Sequence, residues 1–150
     1  MTISPLMKHV LCTWLAAAAS LSAFASNSND DASALQGKWT PVTAELGGQP
    51  MAGDALKIIS LRMENGKYEV FVGGEPDRGT YSVDPATEPK SITVVGIDGP
   101  NKGRSFPAIY ELNGDTLRIC YDLSGARRPS GFKSVAGTKL YLVTYERKKE

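Results

Sequence analysis

Hydrophobic and polar residues alternate with a period of two through much of the chain. In the segment KYEVFV, for example, Tyr68, Val70 and Val72 fall on one face, while Lys67 and Glu69 fall on the other. Successive side chains of a β-strand point to opposite faces of its sheet. One apolar face per strand therefore predicts an antiparallel sheet that is packed on one side.

The alternation predicts eight strands separated by turn residues. Asn65-Gly66 and Asn113-Gly114 each stand between two such runs, and an Asn-Gly pair there is typical of a two-residue hairpin. Only the segment 47–57 hints at a helical turn. The predicted strands lie at about 38–46, 57–64, 67–73, 78–84, 90–97, 106–113, 116–122 and 139–147.

The order of these strands predicts an all-β fold. Long amphipathic helices are absent from the pattern, which excludes parallel βαβ folds. Sequential strands joined by short turns form a meander, and a meander removes its exposed edges by closing on itself. We therefore expect an antiparallel up-and-down barrel of about eight strands over residues 35–150.

The first 25 residues have the layout of a secretory signal peptide. Lys8 and His9 precede an uncharged run over 10–21, and Ala23-Phe24-Ala25 supplies the small residues of a cleavage site. The run is shorter than the roughly 20 residues of a membrane span. We expect cleavage after Ala25, export to the periplasm or the outside, and no transmembrane segment afterwards. The polar segment 26–34 is predicted to be a disordered leader.

Composition excludes several kinds of function. The formal net charge of the whole chain is +1, which provides no basic field for nucleic acid. Signal cleavage would remove His9, the single histidine, and with it Ser-His-Asp catalysis and histidine-ligated metal sites. Cleavage would also leave Cys120 as the only cysteine, too few for a disulfide. We expect Cys120 to be a buried strand residue, with a reactive thiol as the alternative. No catalytic residue, metal or cofactor is predicted.

Two short motifs superficially suggest chemistry. Ser130 to Lys133 matches the S-x-x-K pattern of serine acylation, but that pattern requires a helix, and Gly131 disfavours one. The loop 98–103 resembles a calcium loop, but proline and lysine stand where oxygen ligands are needed. Both segments are interpreted as ordinary loops.

A wider set of segments carries a family resemblance. Gly37-Lys38-Trp39 opens the first strand. The segments LQGKW, which contains it, GTYSVDP, DGPNKG, IYELNGDTLRIC and RP occur in that order before a final basic strand. Over about residues 35–147, the chain resembles a family of exported lipocalin-like domains of unknown function, found mainly in planctomycete-type bacteria.

The resemblance implies a fold but no activity. It implies a lipocalin-like barrel of eight or slightly more strands, opened by Gly37, in which Trp39 seals the closed end and Arg147 packs over it. Pro41 departs from the family pattern. Because proline cannot donate to a strand ladder, we expect a bulge or an edge there.

The tyrosines suggest the candidate binding site. Tyrosine combines an apolar ring with a polar tip, which suits a cavity wall, and we predict Tyr81, Tyr110 and Tyr121 as ligand-binding residues. A barrel of this size either holds one small ligand or fills with its own side chains. The leading hypothesis is non-enzymatic binding of a small apolar or amphipathic ligand. The alternative is a protein-interaction or inhibitor module of the cell envelope, acting through the loops 98–104 and 124–134.

Overall fold

The structure, a computed structural model, describes residues 28–150. The signal peptide predicted at 1–25 lies outside the described residues. Two short helices and nine strands follow in chain order: α1 (Ser28–Ala34), β1 (Gly37–Leu46), β2 (Gln49–Pro50), α2 (Gly53–Lys57), β3 (Ile59–Glu64), β4 (Lys67–Val72), β5 (Glu75–Asp84), β6 (Ser91–Asp98), β7 (Ser105–Asn113), β8 (Thr116–Asp122) and β9 (Leu140–Arg147).

The strands form one closed antiparallel barrel. From β3 to β9 each strand pairs with its neighbour in sequence, and β1 pairs with both β3 and β9. The ring therefore contains eight strands, and the two-residue β2 pairs only with the end of β1. The predicted up-and-down barrel of about eight strands is confirmed, and β2 is the strand that the sequence did not predict.

The two Asn-Gly pairs form turns in slightly different ways. Asn65 and Gly66 join β3 to β4 and both have positive φ angles, 50° and 75°, as a two-residue hairpin requires. In the second hairpin Asn113 still pairs with Thr116, so Gly114 and the residue after it form the turn. That turn therefore lies one residue later than predicted.

Strand β1 bends at Pro41. The register between β1 and β9 shifts between Pro41 and Thr43, which confirms the predicted bulge. A bulge inserts one extra residue and so reverses the inward and outward alternation. Trp39 and Ala44 are consequently both buried, although they are five positions apart and would lie on opposite faces of a regular strand.

Helix α1 covers residues 28–34 of the segment 26–34, which was predicted to be a disordered leader. Ser28–Ala34 are helical, and Leu35, immediately after the helix, is fully buried. The Asp31 side chain accepts hydrogen bonds from Lys90 and Tyr110 of the barrel. These contacts hold the segment against one end of the barrel. In the part of the chain from residue 28 onward, no helix is long and apolar enough to cross a membrane.

A loop between β8 and β9 folds back over the outer wall of the barrel; we call residues 123–139 the strap. Arg128 of the strap donates hydrogen bonds to the backbone oxygens of Ile92 and Ala108, at 2.8 and 2.6 Å. These oxygens belong to paired positions of β6 and β7. The segment 124–134, one of the two loops named in the alternative hypothesis of an interaction module, is therefore tied to the barrel at this point.

The strap accounts for the state of Cys120. This side chain is fully buried, and its sulfur lies 3.6 Å from the backbone oxygen of Lys133 in the strap. Burial raises the pKa of the Cys120 thiol, which keeps the thiol protonated. Of the two alternatives, the structure supports the buried strand residue.

Candidate functional site

One half of the barrel interior is hollow. A cavity of about 420 Å³ is lined mainly by apolar and tyrosine side chains. Leu46 and Val72 line the cavity and are still 43% and 57% exposed, so it opens to solvent at their end of the barrel, the open end. The other lining residues are Met51, Ile59, Leu61, Met63, Tyr68, Val70, Asp77, Tyr81, Ile92, Val94, Asn101, Phe106, Tyr121, Leu123, Tyr141 and Tyr145.

The three tyrosines predicted as wall residues are divided between the two ends of the barrel. Tyr81 and Tyr121 line the cavity. Tyr110 does not: it is 1% exposed, and its hydroxyl donates to Asp31 of α1 at 2.5 Å. The prediction was wrong for Tyr110, because strand alternation reports that a side chain points inward but not how far along the barrel axis it lies.

Sequence reasoning missed three tyrosines of the cavity, Tyr68, Tyr141 and Tyr145. The rings of Tyr121 and Tyr141 stack with a centroid distance of 5.8 Å and an interplanar angle of 21°. Burial is the main cause that raises the pKa of Tyr121, Tyr141 and Tyr145. These hydroxyls therefore stay protonated at neutral pH.

A buried carboxylate forms the polar part of the cavity wall. Asp77 is 6% exposed, and its Oδ2 accepts a hydrogen bond from the Tyr68 hydroxyl at 3.1 Å. The backbone N–H and the side-chain amide of Asn101 donate to its two oxygens, each at 2.9 Å. Burial and the nearby Asp77 both raise the pKa of Tyr68. Asp77 thus joins β4, β5 and the β6–β7 loop at the cavity.

The alternation that places Asp77 inside the barrel is visible in the sequence, but the start of the predicted strand was placed too late to include it. Asp77 shares its inward face with Gly79 and Tyr81 on β5. The predicted strand began at residue 78, which left Asp77 in a turn. Gly79 matters at this place because a Cβ there would lie 2.6 Å from the Tyr68 ring and 1.9 Å from the backbone oxygen of Val95. The absence of a side chain lets the Tyr68 ring cross β5 toward Asp77.

Tyr81 lines the cavity, but its hydroxyl oxygen is buried away from solvent. Tyr81 is 6% exposed, and its hydroxyl has no hydrogen-bond partner of normal geometry among the described residues. Burial raises the pKa of Tyr81, and the nearby backbone of Gly66 offsets part of that rise. An unpaired buried hydroxyl costs free energy, so this group lowers the stability of the protein.

The opposite end of the barrel, the closed end, is filled by Trp39. The indole Nε1 donates to the backbone oxygen of Leu35 at 2.9 Å, and the Arg147 guanidinium lies 4.2 Å from the centre of the indole ring. Arg147 also donates to the backbone oxygen of Ala34 at 2.7 Å and to Asp115 at 3.0 Å. Arg147 therefore ties β9 to the last residue of α1 across the Trp39 ring.

Gly37 makes room for that arginine. Gly37 has a φ angle of +132°, which L side chains rarely adopt, and a Cβ there would lie 2.9 Å from a terminal nitrogen of Arg147. The Gly37 and Trp39 positions therefore have separate physical roles. The glycine admits the guanidinium, and the indole receives it.

Comparisons provide no relative from which to transfer a function: no family model, no curated protein and no solved structure matches the chain. Within residues 28–150, no three histidine, cysteine, aspartate or glutamate side chains are grouped so that they could hold a metal ion.

Replacement of Trp39 by alanine should destabilise the protein by about 3–5 kcal/mol, because it removes a large buried side chain at a site that Arg147 and Leu35 hold in place. Urea unfolding of the two proteins measures the difference. Trp39→Phe, which keeps an aromatic ring but loses the bond to Leu35, should cost less. A loss below about 1 kcal/mol for W39A would contradict the sealing role.

Replacement of Asp31 by asparagine should lower stability by about 1–3 kcal/mol near neutral pH, since the carboxylate receives hydrogen bonds from Lys90 and Tyr110. Burial acts to raise the pKa of Asp31, but these bonds and the Lys90 charge outweigh it and lower the pKa. This part of the stability is therefore present above the unfolded pKa of about 3.9 and is lost as the pH falls through the lower folded value.

Urea unfolding of wild type and D31N over a pH series tests this, with Asp30→Asn as control because Asp30 is exposed on the same helix. The gap between wild type and D31N should narrow below about pH 4, whereas D30N should follow wild type closely. A gap that does not change with pH would show that the charge of Asp31 contributes nothing.

Proposed function

We propose that this protein is a non-enzymatic binding domain that takes one small apolar or amphipathic ligand into its barrel. The observation that carries the proposal is the cavity of about 420 Å³. Small-molecule sites have volumes of about 300–1,000 Å³, walls that are mostly apolar and a few convergent polar groups. Asp77 and Asn101 are such polar groups in this cavity.

The two ends of the barrel differ, and only the open end gives the ligand a route into the cavity. Trp39 and Leu35 fill the closed end and are almost completely buried. At the open end, Leu46, Ile58 and Val72 are large apolar side chains with exposed fractions between 43% and 57%. Exposed apolar side chains around an opening favour the entry of a molecule that is itself apolar.

The groups that line the cavity support binding rather than catalysis. Among the lining residues Asp77 is the only carboxylate, and no lysine, arginine or histidine lies beside it. The pKa values of the lining tyrosines are raised, which moves them away from neutrality. A general acid or base works best with a pKa near the working pH, and no pair of such groups faces this space.

The proposed setting is outside the cytoplasm. The charged start, uncharged run and Ala23-Phe24-Ala25 of residues 1–25 support export to the periplasm or beyond. The lipocalin-like family resemblance points to the same setting. An interaction module of the cell envelope that acts through the loops 98–104 and 124–134 stays a prediction.

Native mass spectrometry of the purified protein tests the proposal. We expect a bound small molecule in the wild type, together with saturable binding of the neutral fluorescent probe N-phenyl-1-naphthylamine. Val94→Trp should abolish both, because Val94 lines the cavity and the indole would occupy it. Val95→Trp is the matched control, since Val95 is the next residue of β6 and is exposed on the outer wall.

A wild type that shows only its own mass and binds no probe would contradict the proposal. Equal probe binding by V94W and wild type would place the binding elsewhere on the molecule. Circular dichroism and urea unfolding of both tryptophan variants verify that each is folded.

A further inference from the structure

We propose that the ligand of this cavity carries a protonated amine, and that the amine is recognised by the carboxylate of Asp77. The proposal rests on the proposed function and adds the chemical class of the ligand. It begins from an imbalance of charge. Only 6% of the Asp77 surface is exposed. Yet no cationic side chain forms a salt bridge with Asp77 in the described part of the chain.

The hydrogen bonds of Asp77 explain its position but leave its charge uncompensated. Its three donors are the Tyr68 hydroxyl and the two N–H groups of Asn101, and all of them are neutral. Buried charges in proteins are normally paired with an opposite charge or bound to a metal. A carboxylate has about four acceptor sites. One acceptor site therefore remains, on Oδ1, and the proposal assigns it to a donor from the ligand.

The nearest arginines are engaged elsewhere. Arg78 follows Asp77 in sequence but lies on the outer face of β5, where it bonds to Glu69 at 2.5 Å and to Asp98 at 3.5 Å. Arg104 reaches the same cluster only through the side-chain oxygen of Asn101, at 3.4 Å. Its stronger bond goes to a backbone oxygen, and its guanidinium stacks on a phenylalanine ring. Neither arginine neutralises Asp77 from within the cavity.

The rest of the lining suits a cation with an apolar body. Four further tyrosines line the same space, and aromatic faces attract ammonium groups when water is excluded. Tyr121 and Tyr141 present a stacked pair at this wall. The aliphatic residues Leu61, Val70 and Val94 would contact the apolar part.

The competing hypothesis is a ligand that carries a carboxylate, because Arg104 lies near the open end and could attract a negative charge. Three probes with the same alkyl chain separate the possibilities: octylamine, octanol and octanoate. Each is titrated into the wild-type protein loaded with N-phenyl-1-naphthylamine near neutral pH, where the primary amine is protonated like a lysine side chain. We expect octylamine to displace the probe at about one tenth of the octanol concentration or less, because a hydrogen bond to a charged group is worth about 1.5–3 kcal/mol.

Two variants then test whether Asp77 is the partner. Asp77→Asn should remove the preference for octylamine over octanol while octanol itself still displaces the probe. Asp98→Asn is the matched control: it makes the same change in charge at the exposed end of β6, outside the cavity lining, and should keep the preference. The ranking of the three probes on the wild type does not depend on either variant being folded.

The outcomes distinguish a failure of the amine proposal from a failure of the proposed binding function. Displacement by octylamine and octanol at equal concentrations, or a preference for octanoate, would overturn the amine and leave the binding cavity in place. A preference for octylamine that survives in a folded D77N protein would overturn the role of Asp77. Failure of the probe and of all three alkyl compounds to bind would overturn the binding function itself.

Discussion

The pairing of β1 with β9 is the interaction on which the rest of the structure depends. Because the first and last strands of the ring pair, no strand of the eight has a free edge, and each side chain points either into the barrel or out of it. The ladder runs from Trp39 opposite Arg147 to Leu46 opposite Tyr141, so it connects the closed end with the open end. Because of the bulge after Pro41, Ala44 and Leu46 point into the barrel, as Trp39 does. Strand β1 therefore contributes inward side chains to both ends.

The interior that this closure creates is filled unevenly. At the closed end Trp39 lies between Leu35 and Arg147, and α1 adds the hydrogen bonds of Asp31. At the open end the side chains stop short of each other and leave a cavity. A filled half stabilises the protein through packing, whereas a hollow half gives up packing and leaves room for a ligand. The functional proposals follow from this division and not from any single motif.

The sequence predicted the parts of this arrangement that depend on local pattern. The period of two gave the strands, and the proline in β1 indicated the bulge. Helix α1 was missed because its seven residues are too few to be stable alone, and it depends on contacts of Asp31 with distant residues. The cavity was predicted only as one of two alternatives. The partners of Asp77 come from β4 and a loop beyond β6, and only the closed barrel brings them together.

The central claim is that the open half of the barrel is hollow and apolar while the closed half is solid. Xenon binds in apolar cavities of proteins, so diffraction from xenon-pressurised crystals tests the claim most directly. The account predicts xenon density between Leu61 and Tyr121 and none around Trp39. An open half without xenon, with the rings of Tyr121 and Tyr141 turned inward to fill it, would contradict the account.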